Sequence, residues 1–140
     1  LCAVQDPGGS TAQVYQSTDD GATWASILTV DGYYPVLCAS DDWWWLLTYE
    51  ASSVDGAQGR LVCRRYKAAE ETAVQVGEDG VVGGSDEGRP AFTQDPATWE
   101  LVALACKADE WSIAGDTPGI VEYRADDLGE NWRLVQTIPK

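Results

Sequence analysis

The stretch STDDGATW, residues Ser17–Trp24, decides the fold because its residue types together specify a tight β-turn. The carboxylate of Asp19 can accept hydrogen bonds from backbone N–H groups across the turn, as in Asx turns. Gly21 can adopt a positive φ at no steric cost. The hydroxyl of Ser17 can add a local hydrogen bond, and Trp24 returns on the next strand with a large ring to bury. The stretch therefore predicts a hairpin between two β-strands.

A second copy of this stretch lies near the other end of the chain. Residues Ala125–Trp132 read ADDLGENW and keep Asp127, Gly129 and Trp132 at the matching positions. Because both copies carry the same turn chemistry, we expect the two aspartates to accept backbone hydrogen bonds within their own turns. We also expect both tryptophan rings to be largely buried.

The two copies belong to a longer internal repeat. Tyr15, Tyr66 and Tyr123 each precede a polar stretch, at spacings of 51 and 57 residues, although the copy after Tyr66 lacks the glycine and the tryptophan. Pro35 and Pro90, 55 residues apart, begin a second repeated pattern of apolar residues, aspartate and tryptophan. A period of about 50 residues that carries four short strands has the size of a β-propeller blade.

The stretch Ser17–Trp24 resembles the Asp box, or BNR repeat, whose pattern is Ser-x-Asp-x-Gly-x-Thr-Trp. It meets every position, Thr23 included, whereas the second copy departs at Ala125 and Asn131. Asp-box β-propellers occur in sialidases, sorting receptors, and phage or cell-surface adhesins. The resemblance implies that the box joins the third and fourth strands of a blade, on the rim away from the ligand-binding face. It gives the box aspartates a structural role.

We therefore expect an all-β fold of propeller blades, each with four antiparallel strands, in a single segment 1–140. Blade one is partial and covers 1–30, blade two covers 31–80, and blade three covers 85–140. The expected strands are Leu1–Val4, Ala12–Ser17, Thr23–Leu28, Val36–Ala39, Trp44–Tyr49, Arg60–Tyr66, Thr72–Val76, Pro90–Thr93, Glu100–Cys106, Gly119–Ala125 and Asn131–Ile138. Slightly under three blades cannot close a ring, since propellers typically have about four to eight. Other protein subunits or further blades of a longer chain are the expected partners.

Charge and composition exclude several classes of function. The chain has 9 Lys and Arg against 23 Asp and Glu, a net charge of −14, which disfavours nucleic acid and anionic membranes as partners. It has no histidine, the commonest general base and a usual zinc ligand. No cofactor or metal site is expected. Membrane insertion is not expected either, because apolar stretches such as Trp43–Leu47 are far shorter than the roughly 20 residues needed. Leu1 at the start and the lack of methionine indicate a processed product, an excised piece or an incompletely sequenced chain.

The cysteines and the tryptophan run each allow two interpretations. Cys2, Cys38, Cys63 and Cys106 have no C-x-x-C spacing, so two disulfides and buried free thiols both remain open. Strand alternation places Trp43 and Trp45 on one side of a strand and Trp44 on the other. The repeat aligns Trp45 with Trp99, which predicts a recurring core position. Trp43 or Trp44 could instead form a contact surface, for a partner protein rather than a sugar.

The loops between second and third strands, with the crossings between blades, form the rim that binds ligands in propeller enzymes. The residues expected to bind a protein or a glycan there are Tyr33, Tyr34, Asp55, Arg89 and Trp111. Tyrosine and tryptophan rings stack on ligands, and an arginine can hold a carboxylate. The acidic, glycine-rich segment Gly77–Gly88 is expected to be a solvated loop, with a calcium loop as the alternative.

The resemblance leaves two classes of function. A sialidase needs an arginine triad, a Tyr–Glu nucleophile pair and an acid aspartate, and no such triad can be matched to the arginines of this chain. We therefore predict no catalytic residues and no glycosidase activity. The expected function is a non-catalytic recognition or structural module of a virion or cell-surface adhesin, located outside the cell or on a virion. The alternative is a fragment of a sialidase-like glycoside hydrolase.

Overall fold

A computed structural model of the chain describes residues 1–40, 42–51, 59–68, 72–85, 90–107, 119–126 and 128–139. The fold is all-β, with 66% of residues in strands, antiparallel sheets and no helix in these ranges. This confirms the predicted fold class at the level of all-β structure. No sheet closes on itself, so the propeller remains a proposal.

Twelve strands form three antiparallel sheets. Sheet one has the order β1 (Cys2–Gln5), β2 (Thr11–Gln16), β3 (Ala25–Asp31). Sheet two contains β4 (Tyr33–Ala39), β5 (Trp44–Glu50), β6 (Gly59–Ala68), β7 (Ala73–Gln75) and β8 (Gly80–Ser85). Sheet three contains β9 (Ala91–Gln94), β10 (Leu101–Lys107), β11 (Gly119–Ala125) and β12 (Trp132–Pro139). Every expected strand is present, with ends shifted by at most three residues.

The segment expected to be a loop at Gly77–Gly88 is a strand in part, which corrects the prediction. Gly80–Ser85 forms β8, which pairs with one half of β6 while β7 pairs with the other half. Val82 is buried, and a Cβ placed on Gly83 would lie 2.7 Å from the ring of Tyr123. Glycine at this position therefore permits β8 to approach sheet three closely. In the sequence alone, the same glycine indicates a turn rather than a strand.

The crossing from sheet one to sheet two is also shorter than expected. The sequence assigned residues 29–34 to this crossing, but β3 continues to Asp31 and β4 begins at Tyr33. Gly32 alone connects them, with a φ of 134° and its N–H donating to the Ser10 carbonyl at 2.7 Å. Since glycine tolerates this backbone conformation, the chain changes sheets within one residue.

The three sheets stack face to face in chain order. Val14 and Ile27 of sheet one pack with Trp44, Leu46 and Tyr66 of sheet two. The opposite face of sheet two packs on sheet three. Residues of that second interface are Trp45, Leu47, Leu61, Cys63, Leu101, Ala103, Ala105 and Val121. Sheet two is therefore covered on both faces, which is why its central strand β5 is an almost continuous apolar run.

The tyrosines of the repeat mark equivalent faces of the three sheets. We call the face of a sheet that points toward the preceding sheet its front face, and the opposite face its back face. Tyr66 is on the front face of sheet two and Tyr123 on that of sheet three, because each packs in the interface with the preceding sheet. Tyr15 adjoins the buried back-face residue Val14, so alternation places it on the front face of sheet one. Within the described ranges, no sheet covers that front face or the back face of sheet three.

Candidate functional site

The first box turn has the hydrogen bonds that its sequence predicts. The carboxylate of Asp19 accepts from the Thr23 backbone N–H at 2.8 Å, the Thr23 hydroxyl at 2.6 Å and the Ser17 hydroxyl at 2.8 Å. These bonds, led by that of the Thr23 hydroxyl, lower the pKa of Asp19 from 3.8 to about 2. The side chain is thus engaged within its own turn, which fits a structural role.

The second box turn shares two features with the first. Gly21 and Gly129 have φ values of 88° and 73°. In both turns the indole N–H of the closing tryptophan donates to the glycine carbonyl, at 3.1 Å for Trp24 and 2.9 Å for Trp132. Asp127 lies outside the described residues. The glycine conformation and the indole contact therefore persist although Ser and Thr are replaced by Ala and Asn.

The two box tryptophans differ in burial, and the prediction for the first one is wrong. Trp132 is partly buried and packs against the core shared by sheets two and three. Trp24 is 50% exposed. Both tryptophans lie on the front faces of their sheets. Ser26 pairs with the front-face residue Tyr15, so alternation places Trp24, two residues earlier, on the same face. Trp132 pairs with Ala125, a core residue on the front face of sheet three. Trp132 has sheet two in front of it, whereas no described sheet lies in front of Trp24.

Two of the five predicted binding residues come together in one cleft. Tyr33 and Tyr34 line an open cleft of about 700 Å³ beside the β1–β2 turn, which we call the tyrosine cleft. Its other lining residues are Gln5, Asp6, Pro7, Gly8, Gly9 and Ser10. The other three predicted binding residues, Asp55, Arg89 and Trp111, lie outside the described residues. The cleft sits on the rim of the second-to-third-strand loops, where the sequence placed ligand binding.

A single glutamine holds the tyrosine cleft together. The side-chain amide of Gln5 donates to the carbonyls of Gly9 at 3.0 Å and Thr11 at 2.9 Å, and its oxygen accepts the Tyr34 backbone N–H at 2.9 Å. Tyr34 has a φ of 53°, a left-handed conformation that costs a bulky residue about 1–3 kcal/mol. The rings of Tyr33 and Tyr34 lie 6.3 Å apart and each lies 6.4 Å from the ring of Tyr49.

A second cleft lies on the opposite rim, beside the box turn of sheet three. This tryptophan cleft has a volume of about 360 Å³ and lies where sheets two and three meet. Its lining residues are Ser40, Asp42, Trp43, Trp45, Arg65, Gln94, Trp99 and Leu128. From the sequence, Trp43 was an alternative contact surface for a partner protein, whereas the repeat alignment assigned Trp99 to the core.

The tryptophans around this cleft divide into buried and exposed ones. Trp45 is buried, as the repeat predicted, whereas Trp99 is 64% exposed, so its assignment to the core is wrong. Trp99 precedes β10, and the buried position belongs to Leu101, the first residue of that strand. Trp44 is buried and stacks on Tyr66 with ring centroids 4.5 Å apart, so it is no contact surface. Trp43 is partly buried, with the guanidinium of Arg65 5.1 Å from its ring centroid.

Two arginine clusters neutralise many of the described carboxylates. Arg64, on the front face of sheet two, pairs with Glu50 and Asp79. Burial raises the pKa of Glu50, but hydrogen bonds from Arg64 and Arg60 outweigh that effect and lower it. Arg124, on the back face of sheet three, pairs with the three carboxylates of Asp95, Glu100 and Glu122. Its hydrogen bond lowers the pKa of Glu122.

The described residues hold free thiols and no cluster of metal ligands. Cys2, Cys38 and Cys63 are unpaired, so the four cysteines do not form two disulfides. Burial raises the pKa of the Cys38 and Cys63 thiols. In the same part of the chain, no three His, Cys, Asp or Glu side chains are grouped so as to hold a metal ion. A search of these residues for a helix long and apolar enough to cross a membrane finds none.

The chain was compared with known proteins at the level of families, sequences and structures. No protein-family model, curated protein or solved structure matches it. The function is therefore inferred from the repeat, the box turns, the two clefts and the stacking of the sheets.

Proposed function

We propose that this chain is a non-catalytic structural and recognition module, a segment of an Asp-box β-propeller that joins further β-sheets through its two uncovered faces. One observation carries the proposal: the front face of each sheet meets the back face of the preceding one, at both interfaces within the chain. Among the described residues, the front face of sheet one and the back face of sheet three are the two members of this series that have no sheet packed on them.

The residues on the two uncovered faces support this role. Val4 and Trp24 are exposed on the front face of sheet one, and Leu104, Ile120 and Ile138 on the back face of sheet three. Apolar side chains gathered on one face of a sheet are typical of an interaction surface. The charged cluster on the same back face is compatible with a covering sheet, because the cluster around Arg64 already lies beneath sheet one.

The two uncovered faces also match each other. By the repeat, the back face of sheet three of one copy can contact the front face of sheet one of a second copy, a head-to-tail contact that closes into a ring or continues as a filament. Two copies with slightly under three blades each fall within the typical four to eight blades of a propeller. Further blades of a longer chain would supply the same contact.

The tyrosine cleft supports the recognition part of the proposal. It brings together Tyr33 and Tyr34 on one rim, where aromatic rings and backbone carbonyls can contact a glycan or a protein partner. A place in a virion or cell-surface adhesin, outside the cell, follows from the Asp-box resemblance alone. Turnover of a sialoside or other glycoside, abolished by a change at one carboxylate, would instead support the sialidase-like alternative.

Sedimentation velocity tests the assembly directly. At concentrations from about 1 to 200 μM, the range of weak to moderate association, the chain is expected to populate species heavier than 15.1 kDa. Trp24→Glu and Ile120→Glu place a carboxylate on each uncovered face, and each should shift the chain toward the monomer. Trp99→Glu, on an exposed residue away from both faces, is the matched control. A stable monomer with full β-sheet circular dichroism at every concentration would contradict the proposal.

A further inference from the structure

We propose that the tryptophan cleft binds a pyranose ring of a neutral saccharide. The cleft lies on the rim of the box turns, opposite the tyrosine cleft, and is built from sheets two and three alone. The proposal therefore stands whether or not the chain assembles with further sheets.

Trp99 carries the argument, because it combines two unfavourable features. It is 64% exposed, and its φ of 62° is a left-handed conformation that is rare for a bulky residue. The turn around it is well fixed: the Trp99 N–H donates to the Asp95 carbonyl, and the Asp95 N–H donates to the Glu100 carbonyl, both at 2.8 Å. A strained conformation that the surroundings impose on an exposed aromatic ring indicates a role in binding, since the fold gains little packing from it.

The lining of the cleft matches the two kinds of surface of a pyranose. Trp99 and Leu128 provide apolar walls for the C–H faces of a sugar ring. Asp42 provides a carboxylate for its hydroxyl groups, and Gln94 provides an amide whose nitrogen also donates to the Trp99 carbonyl at 3.0 Å. A cleft of about 360 Å³ falls within the range of about 300–1,000 Å³ that is usual for small-molecule sites.

The charges around the cleft favour a neutral sugar over a charged ligand. Arg65 and Lys67 both lie over the Trp43 ring, at 5.1 Å and 5.5 Å from its centroid, while Glu130 lies 3.9 Å from Arg65 and Asp42 lines the cleft, so positive and negative groups are both present. The net charge of −14 repels polyanions over the whole surface. A hydroxyl-rich, uncharged ring is not repelled by the net charge of the chain and does not need an unpaired charged group in the cleft.

Saccharide titrations of the full chain test the proposal. Maltohexaose, cellohexaose, chitohexaose and mannohexaose are added up to about 10 mM, which covers weak millimolar binding, and observed by saturation-transfer NMR. At least one should bind, and Trp99→Ala should weaken it by about tenfold or more, as expected when an aromatic anchor is truncated. Trp24→Ala removes an exposed tryptophan outside the cleft and should leave the affinity unchanged.

A second variant separates binding from folding. Trp99→Gly removes the ring and relieves the left-handed strain, so it should lose binding while its unfolding temperature stays equal to or above that of the unmodified chain. Two results would overturn the proposal: none of the four hexasaccharides binds up to the highest concentration, or Trp99→Gly binds as tightly as the unmodified chain.

Discussion

The two box turns of this chain share a left-handed glycine and an indole-to-carbonyl hydrogen bond but differ in what lies in front of them. In the first, all the hydrogen-bonding residues of the motif are present, yet Trp24 is 50% exposed. In the second, two of those residues are replaced, yet Trp132 packs against the core. These two local features therefore follow from the local sequence, whereas the burial of the tryptophan depends on the neighbouring sheet.

The contacts of the two turn glycines show the same difference. A Cβ on Gly129 would lie 3.1–3.3 Å from Leu101, Trp45 and Cys63, two of which belong to sheet two. Among the described residues, a Cβ on Gly21 would meet only the Trp24 ring, at 3.8 Å. The second turn is thus in contact with the preceding sheet. The first turn has no such contact within the described ranges, which is why we infer that another sheet covers it.

The largest effect is expected from removing the two box tryptophans. Trp132→Ala should lower the free energy of unfolding by about 3 kcal/mol, near the lower end of the range for large-to-small core changes, because its ring is only partly buried. Trp24→Ala should change it by less than about 1 kcal/mol in a dilute monomer. Urea unfolding followed by circular dichroism measures both. If both variants lost the same free energy of unfolding, the two rings would have equivalent surroundings and the difference between the turns would be contradicted.

Replacing each turn glycine by alanine should lower the free energy of unfolding by a smaller amount. Comparing the two variants separates steric crowding from backbone strain. Both glycines have positive φ, so each substitution costs about 1 kcal/mol in strain. Gly129→Ala must also displace packed neighbours, which adds about 1 kcal/mol or more. We expect Gly129→Ala to unfold at a clearly lower denaturant concentration than Gly21→Ala. The reverse order would contradict the contact between the second turn and sheet two.

The smallest effect concerns the protonation of Asp19. Its folded pKa of about 2 lies below the usual 3.8, so the carboxylate stabilises the turn above about pH 4 and loses that contribution as the pH falls toward 2. Carboxyl-carbon NMR should report this pKa directly. Thr23→Val should raise it most and Ser17→Ala less, since the Thr23 hydroxyl is the main cause. An unshifted pKa in the unmodified chain would mean that these hydrogen bonds do not persist in solution.

Local patterns in the sequence predicted most of the strands, because alternation and turn residues act over a few neighbours. They missed β8, where Gly80 and Gly83 look like loop residues but permit close packing of the strand. They also misplaced Trp24 and Trp99. Repeat alignment assumes that each copy has the same neighbours, and that assumption fails at the ends of a stack and at a turn that presents its side chain to solvent.

The tyrosine cleft was predicted in part, for a similar reason. The repeat phase placed Tyr33 and Tyr34 on one rim, where the structure brings them together in a cleft, but the role of Gln5 depends on a contact with Tyr34 across 29 residues of chain. The tryptophan cleft gave a weaker signal, since its residues come from both sheets. One indication of this cleft was present in the sequence: Trp99 directly follows a turn, and other tryptophans already fill the core.

Oxidative footprinting of the tryptophans tests the central inference, that another sheet covers the front face of sheet one, most directly. N-bromosuccinimide oxidation is read by mass spectrometry at low and high protein concentration, with Trp99 as the exposed reference in the same molecule. We expect Trp24 to become protected from oxidation as the protein concentration rises, while Trp99 stays reactive. Equal oxidation of Trp24 and Trp99 at every concentration would contradict it.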